Sequence, residues 1–172
     1  MPHNTFNNDN HDAIGLGLKF ALICLLAGFT GCSSTAQEAD PPRVRIGSAV
    51  WKVELATTGQ QRYTGMGSRA YLGPVDGMLF IYPDAAPRAY CMRDCVISLD
   101  IAFIDSDMKI LKIYTMPAEI GRAGTVAYQS YKPAQYVLEV AGGMLRRNGV
   151  VEGLKVELLG KIPHAAKSEP GP

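Results

Sequence analysis

Short apolar or alternating runs, separated by turn residues, follow one another from residue 43 to residue 159. The clearest is residues 99–104 (LDIAFI), which a polar turn at 105–107 joins to a second run over 109–116. Such a pair predicts an antiparallel hairpin. The helical segments between the runs are short, so the chain lacks the alternating βαβ units of a parallel α/β fold. We therefore predict a mainly β (α+β) fold, an antiparallel sheet curled into a small barrel or sandwich with two short helices.

The same periodicities predict the other elements. A hairpin is expected over residues 43–57, followed by a short helix that Thr57 or Thr58 caps at its N-terminus. Residues 78–82 (MLFIY) form a continuous apolar run, which predicts a strand buried on both faces. Further strands are predicted at 126–131, 136–140 and 154–159, and a second short helix at 144–147.

The N-terminal segment predicts export. Lys19 precedes an apolar run over residues 20–31, which is shorter than the roughly 20 residues that span a bilayer. A cation, a short apolar core and small residues before a cut site are typical of a secretory signal. Gly31-Cys32-Ser33 resembles the end of a bacterial lipoprotein signal, whose cysteine becomes the acylated first residue of the mature chain. An uncleaved membrane anchor is the alternative, and both place the domain outside the cytoplasm.

The chain is therefore predicted to have four segments. They are a signal peptide over 1–31, a tether over 32–42, a single β-rich domain over 43–161 and a disordered tail over 162–172. We expect a lipoprotein on the periplasmic side of a bacterial cell envelope, anchored in the membrane through lipidated Cys32.

Charge and histidine content exclude several classes of function. The formal net charge is +1, whereas a nucleic-acid-binding protein normally has a clearly basic balance. The three histidines, His3, His11 and His164, all lie outside residues 44–159. A Ser-His-Asp or Cys-His hydrolase is thereby excluded, because the base that takes the proton of the nucleophile is missing. Histidine-ligated zinc is excluded for the same reason, and we predict neither a metal nor a cofactor.

Cys91 and Cys95 are the thiols of the predicted domain, since Cys24 leaves with the signal and Cys32 carries lipid. On an extended strand they would lie about 13 Å apart, beyond disulfide reach, but in a helical turn they would lie about 6 Å apart. A structural disulfide, unpaired core thiols, and a redox pair or Cu(I) site with Met92 all remain open. Arg93 beside them could lower a thiol pKa.

Two arginines, Arg62 and Arg69, flank a turn broken by glycines (QRYTGMGSR). Glycines let main-chain amides approach a ligand closely, and two guanidiniums could clamp a carboxylate or a phosphate. The alternative is that the arginines hold the loop through Asp94, Asp100 or main-chain carbonyls.

Asp100 lies among apolar residues at the start of the predicted strand 99–104. A buried carboxylate needs a partner, and we expect Arg62 or Arg69 to be that partner. An acidic catalyst is the alternative role for Asp100.

Six segments in the right order resemble the domain of unknown function 192 family, exported proteins of bacteria and archaea. They are VELATTGQQRYTGMGSR, GMLFIY, YCMRDCVISLDIAFID, KIYTMP, YQSYKPAQYVLEVAGG and NGVVEGLKVEL. The family usually has Trp and Thr where this chain has Cys91 and Cys95. The resemblance implies a mostly β fold and no activity, because none is established for the family.

These observations predict an extracytoplasmic domain of unestablished activity that binds a small anionic ligand or a partner protein. The candidate ligand-binding residues, which we expect to converge near Asp100, are Arg62, Arg69, Arg93, Asp94 and Asp100. One alternative is an envelope enzyme or redox protein that uses Asp100 or the Cys91/Cys95 pair. Another is a purely structural envelope protein, which would have no pocket.

Overall fold

A computed structural model of the chain describes residues 40–121 and 123–163. The predicted signal peptide, Cys32 and all but the start of the predicted tail lie outside these residues. All described residues belong to one compact unit. None of the helices that they form is long and apolar enough to cross a membrane.

The described residues form nine strands and two helices. The strands are β1 (Arg43–Ile46), β2 (Ala49–Ala56), β3 (Gly77–Ala86), β4 (Ala89–Tyr90), β5 (Leu99–Ile104), β6 (Ile110–Met116), β7 (Tyr128–Gln129), β8 (Ala134–Ala141) and β9 (Val156–Leu159). The helices are α1 (Gly59–Thr64) and α2 (Met144–Arg147).

Seven strands form one sheet in the order β6-β5-β8-β3-β2-β1-β9, and β4 pairs with β7 in a separate ribbon. Every neighbouring pair is antiparallel except β2 and β3. That pair is parallel because the chain between the two strands crosses over through α1. At the sheet's edges, Ile110 N donates to Leu154 O (3.0 Å) and Val156 N donates to Met108 O (2.8 Å). The sheet is therefore curled into a half-barrel, which confirms the predicted mainly β class.

Alternation along the central strands divides the buried residues between two cores. The interior core lies within the curled sheet and draws on all seven strands; it includes Val44, Trp51, Leu79, Ala102, Ile110, Leu138 and Val156. The outer core lies on the other face of β3, β5 and β8, where loops cover it; it includes Phe80, Met92, Cys95, Ile101, Phe103 and Val137. The central strands are therefore buried on both faces, as predicted for residues 78–82.

Most predicted elements are confirmed. The strand over residues 99–104 has the predicted bounds. Thr58 caps α1, because its side-chain oxygen accepts from Gln61 N (3.2 Å) while the Gln61 side chain accepts from Thr58 N (3.0 Å). Strand β4, which pairs with β7, was not predicted, because two residues are too few to show a periodic pattern.

The contacts of the domain extend past the predicted boundaries at 43 and 161. Pro42 O accepts a hydrogen bond from Val53 N (3.0 Å), and the Asp40 carboxylate pairs with Arg43 (2.6 Å). At the other end, Ile162 packs against the interior core. The last residues of the predicted tether are thus held against β1 and β2.

Candidate functional site

A cleft of about 200 Å³ opens over the outer core. One wall is the end of α1 with the glycine turn at residues 65–67, and the other is the segment 89–95. Ser68 N donates to Asp94 O (2.9 Å), which joins the two walls. The polar side chains that line the cleft are Arg62, Tyr63, Thr64, Tyr82, Tyr90, Cys91, Arg93, Cys95 and Glu139.

Glu139 lies at the base of this cleft. It is in β8, where alternation turns Leu138 and Val140 into the interior core and Glu139 toward the outer core. Only 4% of its surface is exposed. Its cross-strand neighbours are Met78 on β3 and Ile101 on β5, neither of which offers a polar group. Burial therefore raises the pKa of the Glu139 carboxyl to about 8, which leaves the group mostly protonated at neutral pH.

Two tyrosine hydroxyls meet beside the cleft. The Tyr82 and Tyr90 oxygens lie 2.9 Å apart in a hydrogen bond. The Tyr90 ring is held edge-on between Phe80 (centroids 5.2 Å apart) and Phe103 (5.8 Å). Burial, followed by the neighbouring Tyr82 and Glu139, raises the pKa of Tyr90 well above its usual value. The Tyr90 phenol is therefore a neutral hydrogen-bonding group.

Arg62 is held in place at the cleft. Its Nη1 donates to Thr57 O (2.7 Å) and Ile81 O (3.0 Å). Its guanidinium also lies 4.7 Å from the centroid of the Tyr82 ring, which Arg88 contacts at 3.8 Å. The alternative reading of Arg62, in which it bonds main-chain carbonyls, is confirmed. Both hydrogen bonds involve only Nη1 of Arg62, so the other guanidinium nitrogens lie beside the cleft.

Arg93 lies at the rim on the opposite wall. Its Nη2 donates to Tyr63 O (2.9 Å), and its guanidinium stacks 4.2 Å from the Tyr63 ring centroid. It belongs to a tight turn closed by a bond from Cys95 N to Met92 O (3.1 Å), with Asp94 in the left-handed region at φ 53°. Of the three arginines predicted to bind a ligand, Arg62 and Arg93 line the same cleft, and Arg69 does not.

Cys91 and Cys95 are both free thiols in the structure, the first exposed and the second buried. The turn that was needed for a disulfide is present, yet the bond is not formed. Burial, and then the nearby Glu139, raise the pKa of the Cys95 thiol to about 11. A thiol with such a pKa is protonated at neutral pH and is a poor nucleophile. Whether the two thiols pair under oxidising conditions stays a prediction.

The prediction that Arg62 or Arg69 would be the partner of Asp100 is wrong. Asp100 is 1% exposed and accepts from the Thr115 hydroxyl (2.7 Å) and from Leu145 N (2.9 Å). It therefore joins β5, β6 and the first turn of α2. The carboxylate was rightly expected to be paired, but the pairing of β5 with β6 supplies a threonine and α2 supplies a free main-chain N–H.

Arg69 lies apart from Arg62, so the predicted convergence of both arginines near Asp100 is not found. Arg69 forms a bidentate pair with Glu54, at 2.9 and 2.8 Å. The hydrogen bond between them is the main cause that raises the pKa of Arg69 and lowers the pKa of Glu54. Both residues line a second groove on the other side of α1.

Among the described residues, no group of three or more His, Cys, Asp or Glu side chains is placed to hold a metal ion. The polar groups of the cleft are instead hydrogen-bond donors and acceptors, namely guanidiniums, phenols, a thiol and a carboxyl. Their arrangement suits the binding of a small polar molecule.

Glu139, Tyr82 and Tyr90 were missed by the sequence-based reasoning. Glu139 had a usable signal, because it interrupts the apolar run VLEVA just as Asp100 interrupts LDIAFI. The rule that a buried carboxyl needs a partner applied equally to both residues. The tyrosines had no comparable signal, since their hydroxyls meet only after β3 and β4 are folded together.

The fold and the cleft define a small, mainly β domain with a polar cleft on the outer face of its sheet. Residues 43–158 match the family of domain of unknown function 192, described as an uncharacterized ACR. The chain therefore belongs to this family.

Two solved structures are similar to the chain. A protein from Sinorhizobium meliloti 1021, provisionally described as a transcription regulator, is 31% identical with a TM-score of 0.59; the match covers 68% of this chain and 91% of that one. A protein of unknown function from Novosphingobium aromaticivorans DSM 12444 is 31% identical with a TM-score of 0.58, over 69% of this chain and 84% of that one. No curated protein matches the chain significantly.

Proposed function

We propose that this protein is a lipid-anchored extracytoplasmic domain whose cleft binds a small anionic ligand. The observation that carries the proposal is the convergence of Arg62 and Arg93 on a cleft that also holds phenol hydroxyls and a buried carboxyl. A partner protein could use the same contacts by presenting an acidic group to the cleft.

The charges around the cleft favour an anion. Arg62 and Arg93 each carry a permanent positive charge, and guanidinium N–H groups match carboxylate and phosphate oxygens. Glu139 adds little opposing charge at neutral pH, because burial raises its pKa to about 8.

The size of the cleft favours a small molecule. Its volume of about 200 Å³ is below the roughly 300–1,000 Å³ of pockets that hold drug-sized ligands. Small carboxylic acids and inorganic phosphate fit this limit.

The rival functions have less support. Catalysis by Asp100 would need a free carboxylate in a cleft, but Asp100 already accepts two hydrogen bonds and does not line the cleft. Redox chemistry would need a thiolate, which the raised pKa of Cys95 disfavours. A purely structural role predicts no pocket, and the cleft argues against it.

Transcription regulation, the provisional description of the Sinorhizobium meliloti protein, does not extend readily to this chain. DNA binding draws much of its affinity from neutralised phosphates and so needs an excess of Lys and Arg. Here 17 Lys and Arg face 16 Asp and Glu, for a formal net charge of +1.

The anchor and the cellular location rest on the N-terminal sequence. Cys32 after a short apolar run is the residue that would carry lipid. We expect Cys32→Ser to move the exported protein from the membrane fraction to the soluble periplasmic fraction, as measured by immunoblotting of fractionated cells. Unchanged membrane association of the variant would count against lipidation.

The ligand proposal is tested by isothermal titration with acetate, propionate, succinate and phosphate. At least one of them should bind the wild-type protein. Arg93→Gln should weaken that binding at least tenfold, because it removes the cation at the rim while keeping a similar size. Arg45→Gln is the matched control, since Arg45 pairs with Glu157 on the surface, apart from the cleft. The proposal fails if no anion binds, or if both variants weaken binding equally.

A further inference from the structure

Glu139 is a buried acid without a protein partner. It is 4% exposed, no hydrogen bond between its carboxyl and another described residue is found, and its oxygens keep some access to the cleft. The other buried acids differ: Asp100 accepts two hydrogen bonds, and Glu119 accepts one from Thr125 N (3.1 Å). Burial alone accounts for the raised pKa of Glu139, with no cation offsetting it.

Such an arrangement is costly for the fold. Burying a carboxyl group without a hydrogen-bond partner destabilises a protein, whereas an apolar residue would pack well between Met78 and Ile101. Groups of this kind are expected at sites where a ligand supplies the missing partner. Glu139 faces the cleft, so a bound ligand is the molecule that can reach it.

We infer that the ligand is a small carboxylic acid that also carries a hydrogen-bond donor, an amine or a hydroxyl, which binds Glu139 at the base of the cleft. The inference rests on the proposed function, because the ligand's carboxylate is taken to lie with Arg62 and Arg93. Glu139 is then the residue that determines specificity, and the two ends of the cleft recognise the two groups of one molecule.

The surroundings of Glu139 suit this role. The Tyr90 phenol and the Cys95 thiol line the same cleft, and the charge of Glu139 acts on both through space. The Tyr90 hydroxyl bonds to the Tyr82 hydroxyl (2.9 Å), and among the described residues no hydrogen bond joins it to Glu139. An acid with no second polar group would leave the Glu139 carboxyl buried and unpartnered, which is the cost that discriminates against it.

Three acids of matched size test the inference by isothermal titration at neutral pH: propionate has no donor, lactate has a hydroxyl and alanine has an amine. We expect lactate or alanine to bind the wild-type protein at least tenfold more tightly than propionate. Glu139→Leu should abolish that advantage, because it removes the acceptor. Glu139→Gln keeps an acceptor oxygen and should preserve a hydroxyl advantage. It should abolish an amine advantage, because only Glu139 can release its proton on binding and pair with the ammonium group.

Each possible binding result either supports or overturns the inference. Equal binding of the three acids to the wild-type protein, or a donor advantage that survives in Glu139→Leu, overturns the inference. If propionate then still binds in an Arg93-dependent way, the anion site stands alone. If none of the three acids binds, the inference fails, and the titrations with acetate, succinate and phosphate then decide separately whether the anion site stands. Loss of folding does not confuse the result, because Glu139→Leu is expected to stabilise the protein, and thermal melts of both variants check this.

Discussion

At position 139, a carboxyl group lies where both cross-strand neighbours are apolar, Met78 on one side and Ile101 on the other. An ordinary buried strand would carry Val or Ile there. Under the proposed function, this acid weakens the fold and gives the cleft a group that recognises the ligand, so stability and recognition would oppose each other at this residue.

The raised pKa of Glu139 makes the stability of the protein depend on pH. The folded protein holds this proton up to about pH 8, whereas in the unfolded chain the carboxyl loses it near its ordinary pKa. The full stability is therefore present below the unfolded pKa and is lost as pH rises toward about 8. Relative to Glu139→Leu, the wild-type protein should lose up to about 1.4 kcal/mol per pH unit across that window.

Urea unfolding of the wild-type protein and of Glu139→Leu at a series of pH values measures this difference. Tyr90 and Cys95, on which the charge of Glu139 acts, have pKa values raised further above that window and do not change charge within it. A difference in unfolding free energy that stays constant between about pH 5 and pH 8 would contradict the assignment.

At the scale of elements, Asp100 connects three of them. It starts β5, accepts from Thr115 on β6 and caps the main-chain N–H of Leu145 in α2. Because α2 is only one turn long, its position over the sheet depends on contacts of this kind. The residue that looked most catalytic in the sequence has a structural role.

Replacing Asp100 should therefore cost stability. Asp100→Ala leaves the buried Leu145 N–H without an acceptor and removes the bond to the Thr115 hydroxyl, and should lower the free energy of unfolding by about 1–3 kcal/mol. Asp107→Ala, in the exposed turn before β6, is the control and should change it by no more than about 0.5 kcal/mol. Chemical denaturation compares the two, and similar losses would show that Asp100 is not a structural connector.

The strands were predictable because their side-chain periodicity is local. Residues 99–104 and the cap at Thr58 needed only neighbouring residues to be recognised. The partner of Asp100 was not predictable, because it depends on the register of β5 with β6 and on where α2 begins. Glu139 shows the same limit: its isolation follows from its cross-strand neighbours, which no local pattern specifies.

At the scale of the whole molecule, the curled sheet supplies stability, and the loops over its outer face form the cleft. The interior core, which draws on all seven strands, stabilises the half-barrel. The outer core leaves a cleft between α1 and the segment 89–95, where arginines, phenols and Glu139 meet. Recognition of this kind on a rigid sheet with loop walls needs little rearrangement on binding.

The central claim, that this cleft is the binding site, is tested most directly by an NMR titration of the wild-type protein with the acid that binds most tightly. The main-chain amide resonances of Gly67, Tyr90, Cys91 and Cys95, which line only this cleft, should shift together and saturate with one affinity. Those of Glu54 and Arg69, in the second groove, should change little. Shifts confined to the second groove, or spread over the surface without saturation, would contradict the claim.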